Sequence, residues 1–140
     1  MITTLSQLIA QAESSCEQYA IRFEPAFAPS ALAIQRCAAA NRCTQATARV
    51  ICATSWGFYQ IMGEELYRRE IVVHPIGEWM ASANAQALGF LVFTQEKGIA
   101  YSLDAILHDE TKRLDFATHY NGNGPVYSKY LMEVYAEHAK

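Results

Sequence analysis

No stretch of this sequence stays apolar for the roughly 20 residues that a membrane-spanning helix needs. The first residues, MITTLSQLIAQAESS, offer neither a basic cluster nor an unbroken apolar run, so no signal peptide is expected. Charge is scarce: 18% of residues, with 11 Lys and Arg against 14 Asp and Glu. A net charge of -3 supplies no electrostatic drive towards nucleic acid or an anionic membrane surface. Cysteine is sparse and badly spaced for chemistry. Cys16, Cys37, Cys43 and Cys52 form no Cys-x-x-Cys pair, and no histidine stands at zinc-ligand spacing from them. They read as reduced residues packed as small hydrophobes, and a Cys37–Cys43 bridge has no support in the pattern. That usage fits synthesis in a reducing cytoplasm. Internal repeats, linkers and low-complexity segments are also missing. What is present is a 51% hydrophobic chain of 140 residues, enough for one sizeable core. Residues 1–140 are therefore expected to form a single domain.

Periodicity makes that domain mainly helical. Thr4-Leu5-Ser6-Gln7 is a capping box. Leu5, Leu8, Ile9, Ala12, Cys16 and Tyr19 then recur at helical spacing, which predicts a first helix over 5–19. "AIRFEP" reads as a short extended segment, because Pro25 biases Glu24 away from helix. Ser30 caps a second helix over "ALAIQRCAAAN", and Thr44 a third over "QATARVICATS", stopping near Gly57. "FYQIMGEELYRRE" suggests a short helix, and "EWMASANAQALGFLVF" a long apolar one containing Gly89. "YSLDAILHD" and "TKRLDFATHY" are helical, "NGNGP" is a turn, and "YSKYLMEVYAEH" closes the chain as an amphipathic helix. At most a short β segment is expected.

Three places carry polar groups suited to chemistry. Glu13 falls at the edge of the first helix's apolar stripe. There it is either a solvated edge residue or a part-desolvated carboxyl whose raised pKa suits a general acid. Gln60 lies inside "SWGFYQIMG", among aromatics and between two glycines. It is either part of a capped turn or an amide that donates and accepts to a sugar, as amides do. Asn121 precedes Gly122 in "HYNGNGP", and reads as a helix C-cap or a cleft residue. His119 is either cleft-lining or a solvated helix-end residue. The four histidines, His74, His108, His119 and His138, have no metal-ligand spacing.

Taken together, Glu13-Ser14, Gly57-Phe58-Tyr59-Gln60-Ile61 and Tyr120-Asn121-Gly122 resemble the lysozyme-like superfamily, with its lytic transglycosylases and goose-type lysozymes. "ATSWGFYQIMG", "RFEPAF" and "FATHYNG", with the closing "YSKYLMEVY", are more closely similar to the N-acetylmuramidase domain of phage endolysins. The likeness spans nearly the whole chain. It implies a lysozyme-like fold and cleavage of the bond from N-acetylmuramic acid to N-acetylglucosamine in peptidoglycan. Glu13 would be the general acid. Ser14, Tyr59, Gln60, Tyr120 and Asn121 would belong to the sugar-binding set, with Asn121 also shaping the cleft floor. Glu24 would be a second catalytic carboxylate or, equally, a structural residue paired with Arg22. Relatives more often carry glutamate where Cys52 stands, and a longer segment after the position of Pro25.

Three routes satisfy an oxocarbenium-like transition state: inversion through an activated water, retention through a nucleophile, or ring closure by the muramic acid's own hydroxyl. The resemblance favours hydrolysis, with the transglycosylase and a glycan-gripping phage structural module as rivals. It implies no metal or organic cofactor. The expected partner is the peptidoglycan glycan strand, with no nucleic acid or membrane, and the chain is expected to be a monomer. Mild acidity is unusual for an enzyme attacking an anionic wall from outside, so positioning by a virion, a fused partner or a separate export route is expected.

Overall fold

A computed structural model describes residues 1–139, so Lys140, the last residue of the expected domain, lies outside the described residues. Helix α1 (Leu5–Ser14) opens on the expected capping box. Thr4 Oγ1 accepts from the Gln7 amide, and the Gln7 side chain accepts from the Thr4 amide. It ends five residues short of the expected Tyr19. Ser15 and Cys16 take left-handed conformations, with φ of 52° and 62°. Their amides turn back to the carbonyls of Gln11 and Ala10, which closes the helix end. Cys16 is consequently exposed, not a core residue. The stop also leaves Glu13 in the last turn of α1, beside whatever packs on that end.

Strand β1 (Ile21–Phe23) follows, then α2 (Ala31–Asn41) and α3 (Gln45–Cys52). Ser30 and Thr44 cap these helices by accepting from the amides of Ala33 and Thr47. Helix α3 does not run on to Ser55. Two of its orphaned C-terminal carbonyls are taken by side chains: Val50 by Thr54 Oγ1 at 2.7 Å, and Ile51 by Trp56 Nε1 at 2.9 Å. The chain is then free to extend as β2 (Thr54–Trp56). A turn at 57–60 leads into β3 (Ile61–Met62), where a helix was expected, and only α4 (Gly63–Arg68) is helical in that stretch.

The three strands form an antiparallel sheet in the order β1-β2-β3. Ser55 pairs with Arg22 on one side and Met62 on the other. Because side chains alternate across a strand, that register lays Arg22, Ser55 and Met62 in one row on one face. Glu24, two residues beyond Arg22, belongs to the same face.

The expected long helix over 78–93 is two helices, α5 (Ile76–Met80) and α6 (Ala83–Glu96). Ser82 leaves helical geometry and caps α6 by accepting from the Ala85 amide. Helices α7 (Leu103–His108), α8 (Glu110–Asn121) and α9 (Gly124–His138) complete the chain, with "NGNGP" turning α8 into α9. Helix α1 packs on α9 and α7. Leu8, Ile9, Leu66, Tyr67, Ile106, Phe116 and Leu131 are fully buried in one core. The fold is thus mainly α, in a single compact body with a small sheet on one side.

Candidate active site

Sheet and helices meet at a cleft of about 210 Å³, lined by Glu13, Arg22, Glu24, Ser55, Gln60, Met62, Tyr120 and Asn121. The end of α1 supplies Glu13. The sheet supplies the row Arg22, Ser55 and Met62, with Glu24 beside it. The end of α8 supplies Tyr120 and Asn121. Larger pockets occur elsewhere, about 330 Å³ around Arg36, Tyr67 and Val72 and about 510 Å³ around Asn41, His74 and Glu78. Neither brings two carboxylates together.

Glu13 is half-buried and accepts a hydrogen bond from the Tyr127 hydroxyl at 2.7 Å. Burial pushes its pKa up from 4.5. The Tyr127 bond and the Arg22 charge pull it down, and burial wins. Tyr127 is 5% exposed. Burial, followed by the charge of Glu13, holds its phenol well above the usual range, so it remains a proton donor. The other carboxylate has a different setting. Glu24 is partly exposed and forms an ion pair with Arg22, Nε to Oε1 2.7 Å. One carboxyl is therefore desolvated and the other charge-paired, in the same cleft.

The "SWGFYQIMG" segment builds the floor through its backbone. Gly57 has φ of +78°, and a Cβ there would meet Gln86 Oε1 at 2.0 Å. Gln86 is fully buried. Its oxygen accepts from the Phe58 amide at 2.8 Å, while its nitrogen donates to the carbonyls of Gln18 and Met80. Gln60 is itself left-handed, with φ of 50°. Its Nε2 donates to Ala20 O at 3.1 Å and Gly57 O at 3.0 Å, so the amide nitrogen holds the turn while the side chain lines the cleft.

Not every sequence-derived residue reaches the cleft in the same way. Ser14 and Tyr59 do not line it. The Ser14 hydroxyl lies within hydrogen-bonding distance of the carbonyls of Phe58 (2.8 Å) and Ala10 (3.0 Å), joining α1 to the hairpin turn. Tyr59 is 6% exposed and stacks on Phe90 with ring centroids 4.6 Å apart. Tyr120 lines the cleft, but its ring stacks on Phe116 and Tyr127 and its hydroxyl donates to Tyr59 O at 2.6 Å. Asn121 is exposed at the α8 terminus, and its Oδ1 accepts from the Asn123 amide. His119 is a solvated helix-end residue, bound back to Asp115, and lies outside the cleft. Sequence reasoning missed Tyr127, and missed Ser55 and Met62 as cleft walls. No group of three or more His, Cys, Asp or Glu among the described residues is placed to hold a metal ion.

The family model for N-acetylmuramidases matches residues 9–140, which includes every cleft-lining residue. The chain belongs to the N-acetylmuramidase family. An endolysin of Enterobacteria phage PRD1 is 33% identical over 128 residues, covering 85% of this chain and 86% of that protein. No solved structure matches the chain significantly. In this family member, no helix among the described residues is long and apolar enough to cross a membrane.

Proposed function

We propose that the chain cleaves the peptidoglycan glycan strand between N-acetylmuramic acid and N-acetylglucosamine, with Glu13 as the general acid. The observation that carries this reading is the half-buried Glu13, raised above the usual carboxylate range and bound by Tyr127, in a cleft that also holds Glu24. An acid must still hold its proton where it meets the glycosidic oxygen, and burial favours that form. Glu24, charge-paired with Arg22, is the candidate to activate a water or stabilise the anomeric cation. The oxygen of Gln60, whose amide nitrogen holds the turn, is left for the sugar. Membership in the muramidase family and likeness to a phage endolysin support the same substrate.

One observation favours a second route. Arg22 already engages one oxygen of Glu24 at 2.7 Å. A single free acid suffices if the muramic acid's own hydroxyl closes on the anomeric carbon, as in a lytic transglycosylase. Borohydride reduction of the digest separates the possibilities. Muramitol ends support the muramidase, non-reducible anhydro ends support the transglycosylase, and glucosaminitol ends contradict the bond assigned. A protein that binds the polymer and releases nothing would be a glycan-gripping module.

A further inference from the structure

The sheet that walls the cleft has a free edge. Among the described residues strand β1 pairs only with β2, and the pairing is directional. The Gly57 amide donates to Ala20 O and the Glu24 amide to Ala53 O, each at 2.8 Å. In an antiparallel ladder these close pairs alternate, so Ala20, Arg22 and Glu24 turn their peptide groups towards β2. Ile21 and Phe23 turn theirs outward, where no described residue bonds them. The two residues are 63% and 52% exposed, and nearby Tyr19 and Phe27 are 64% and 40% exposed. Proteins commonly blunt such an edge with charge, proline or a covering segment. Here the edge strand is short, carries Arg22 at its centre and is followed by Pro25, which limits open-ended pairing with another sheet. The outward peptide groups of Ile21 and Phe23 nevertheless lie uncovered beside the cleft. Arg22 connects the two: it lines the cleft, yet its side chain is 74% exposed.

The proposed substrate has a part that fits this place. Muramic acid carries a short, carboxylate-bearing peptide on its lactyl group. A sugar held over the sheet face must send that peptide out of the cleft. Resting on the glycan-cleaving reading above, we propose that the β1 edge is a subsite for the peptide stem. The outward peptide groups of Ile21 and Phe23 meet the stem's amides, and Arg22 meets a stem carboxylate. Groups two residues apart on a strand are separated by about 6.6 Å, a span that a stem of a few residues covers. Capture of an extended peptide by main-chain groups of a sheet edge is a general recognition mode. The muramidase would then act on peptide-bearing glycan in preference to bare glycan.

The test compares kcat/KM on purified peptidoglycan with kcat/KM on the same glycan stripped of its peptides by an amidase. The wild type is expected to favour the peptide-bearing polymer by about tenfold, the ratio that one good polar contact supplies. Phe23→Pro removes one outward N–H and leaves the β1–β2 bonds of Ala20, Arg22 and Glu24 in place, a position where an edge strand accepts proline. In that variant the ratio should fall towards one. Equal rates of the wild type on both polymers would overturn the stem subsite alone, whether or not the variant folds. A ratio unchanged in a folded Phe23→Pro variant would also overturn it. Cleavage of neither polymer would overturn the glycan-cleaving reading, and the stem subsite with it.

Discussion

At the scale of single residues, the central fact is a carboxyl under opposed influences. Burial raises Glu13, while Tyr127 and Arg22 lower it. A folded pKa above the unfolded value of 4.5 has a definite sign. Below 4.5 the carboxyl is neutral in both states and burial costs nothing. As pH rises through the folded pKa, the buried charge becomes a penalty. Glu13→Gln should therefore raise the melting temperature at pH 7 and leave it unchanged at pH 3, while lowering kcat by about a hundredfold or more. An unfolded Glu13→Gln variant would make Glu13 structural. Tyr127→Phe removes the hydrogen bond that favours the ionised form. The alkaline limb of its pH–activity profile should move to higher pH, as measured by initial rates on purified peptidoglycan. The edge position of Glu13 was legible from the helical spacing of 5–16. Its partner was not, because Tyr127 lies 114 residues away and looks like one more member of the closing helix's apolar stripe. The hydroxyls of Ser14 and Tyr120, polar in the sequence, bond backbone carbonyls in the fold.

At the scale of elements, the floor depends on one buried amide. Gln86 on α6 satisfies the Phe58 amide and the carbonyls of Gln18 and Met80 at once. Gln86→Ala would strand these groups in a dry interior and should cost roughly 3 kcal/mol, measured by urea unfolding. Helix α4 carries a different dependence. Burial raises the pKa of Glu65, but Arg69 and Arg68 outweigh it and hold it below 4.5. A depressed pKa gives stability that is present above 4.5 and lost as pH falls through the folded value. Glu65→Gln should lower the melting temperature at neutral pH, and the difference should vanish in strong acid. The caps at Thr4, Ser30 and Thr44 were legible because capping is local. The hairpin at 54–62 was not. It depends on Gln86, 28 residues beyond Phe58, and on a left-handed Gln60 that helix propensity disfavours. Gly63 was equally opaque: a Cβ there would meet Ile51 O at 2.2 Å, so it marks the crossing of α3 and α4 rather than a helix interior.

At the scale of the whole molecule, the mainly helical class followed from periodicity, and the family from three short blocks. The fold gathers those blocks at one cleft although they begin at residues 13, 57 and 120. "SWGFYQIMG" serves both as packing and as site. Its aromatics enter the core or half enter it, its glycines let Gln86 and Ile51 come close, and Gln60 faces the cleft. The four free cysteines belong to this scale too, since no disulfide bridge constrains the fold among the described residues. The most direct test of the account is mass spectrometry of soluble products from purified peptidoglycan, with the wild type and Glu13→Gln side by side. The wild type should release fragments ending in reducing muramic acid, and the folded variant none. Equal release by the two proteins, or no release by a folded wild type, would contradict it.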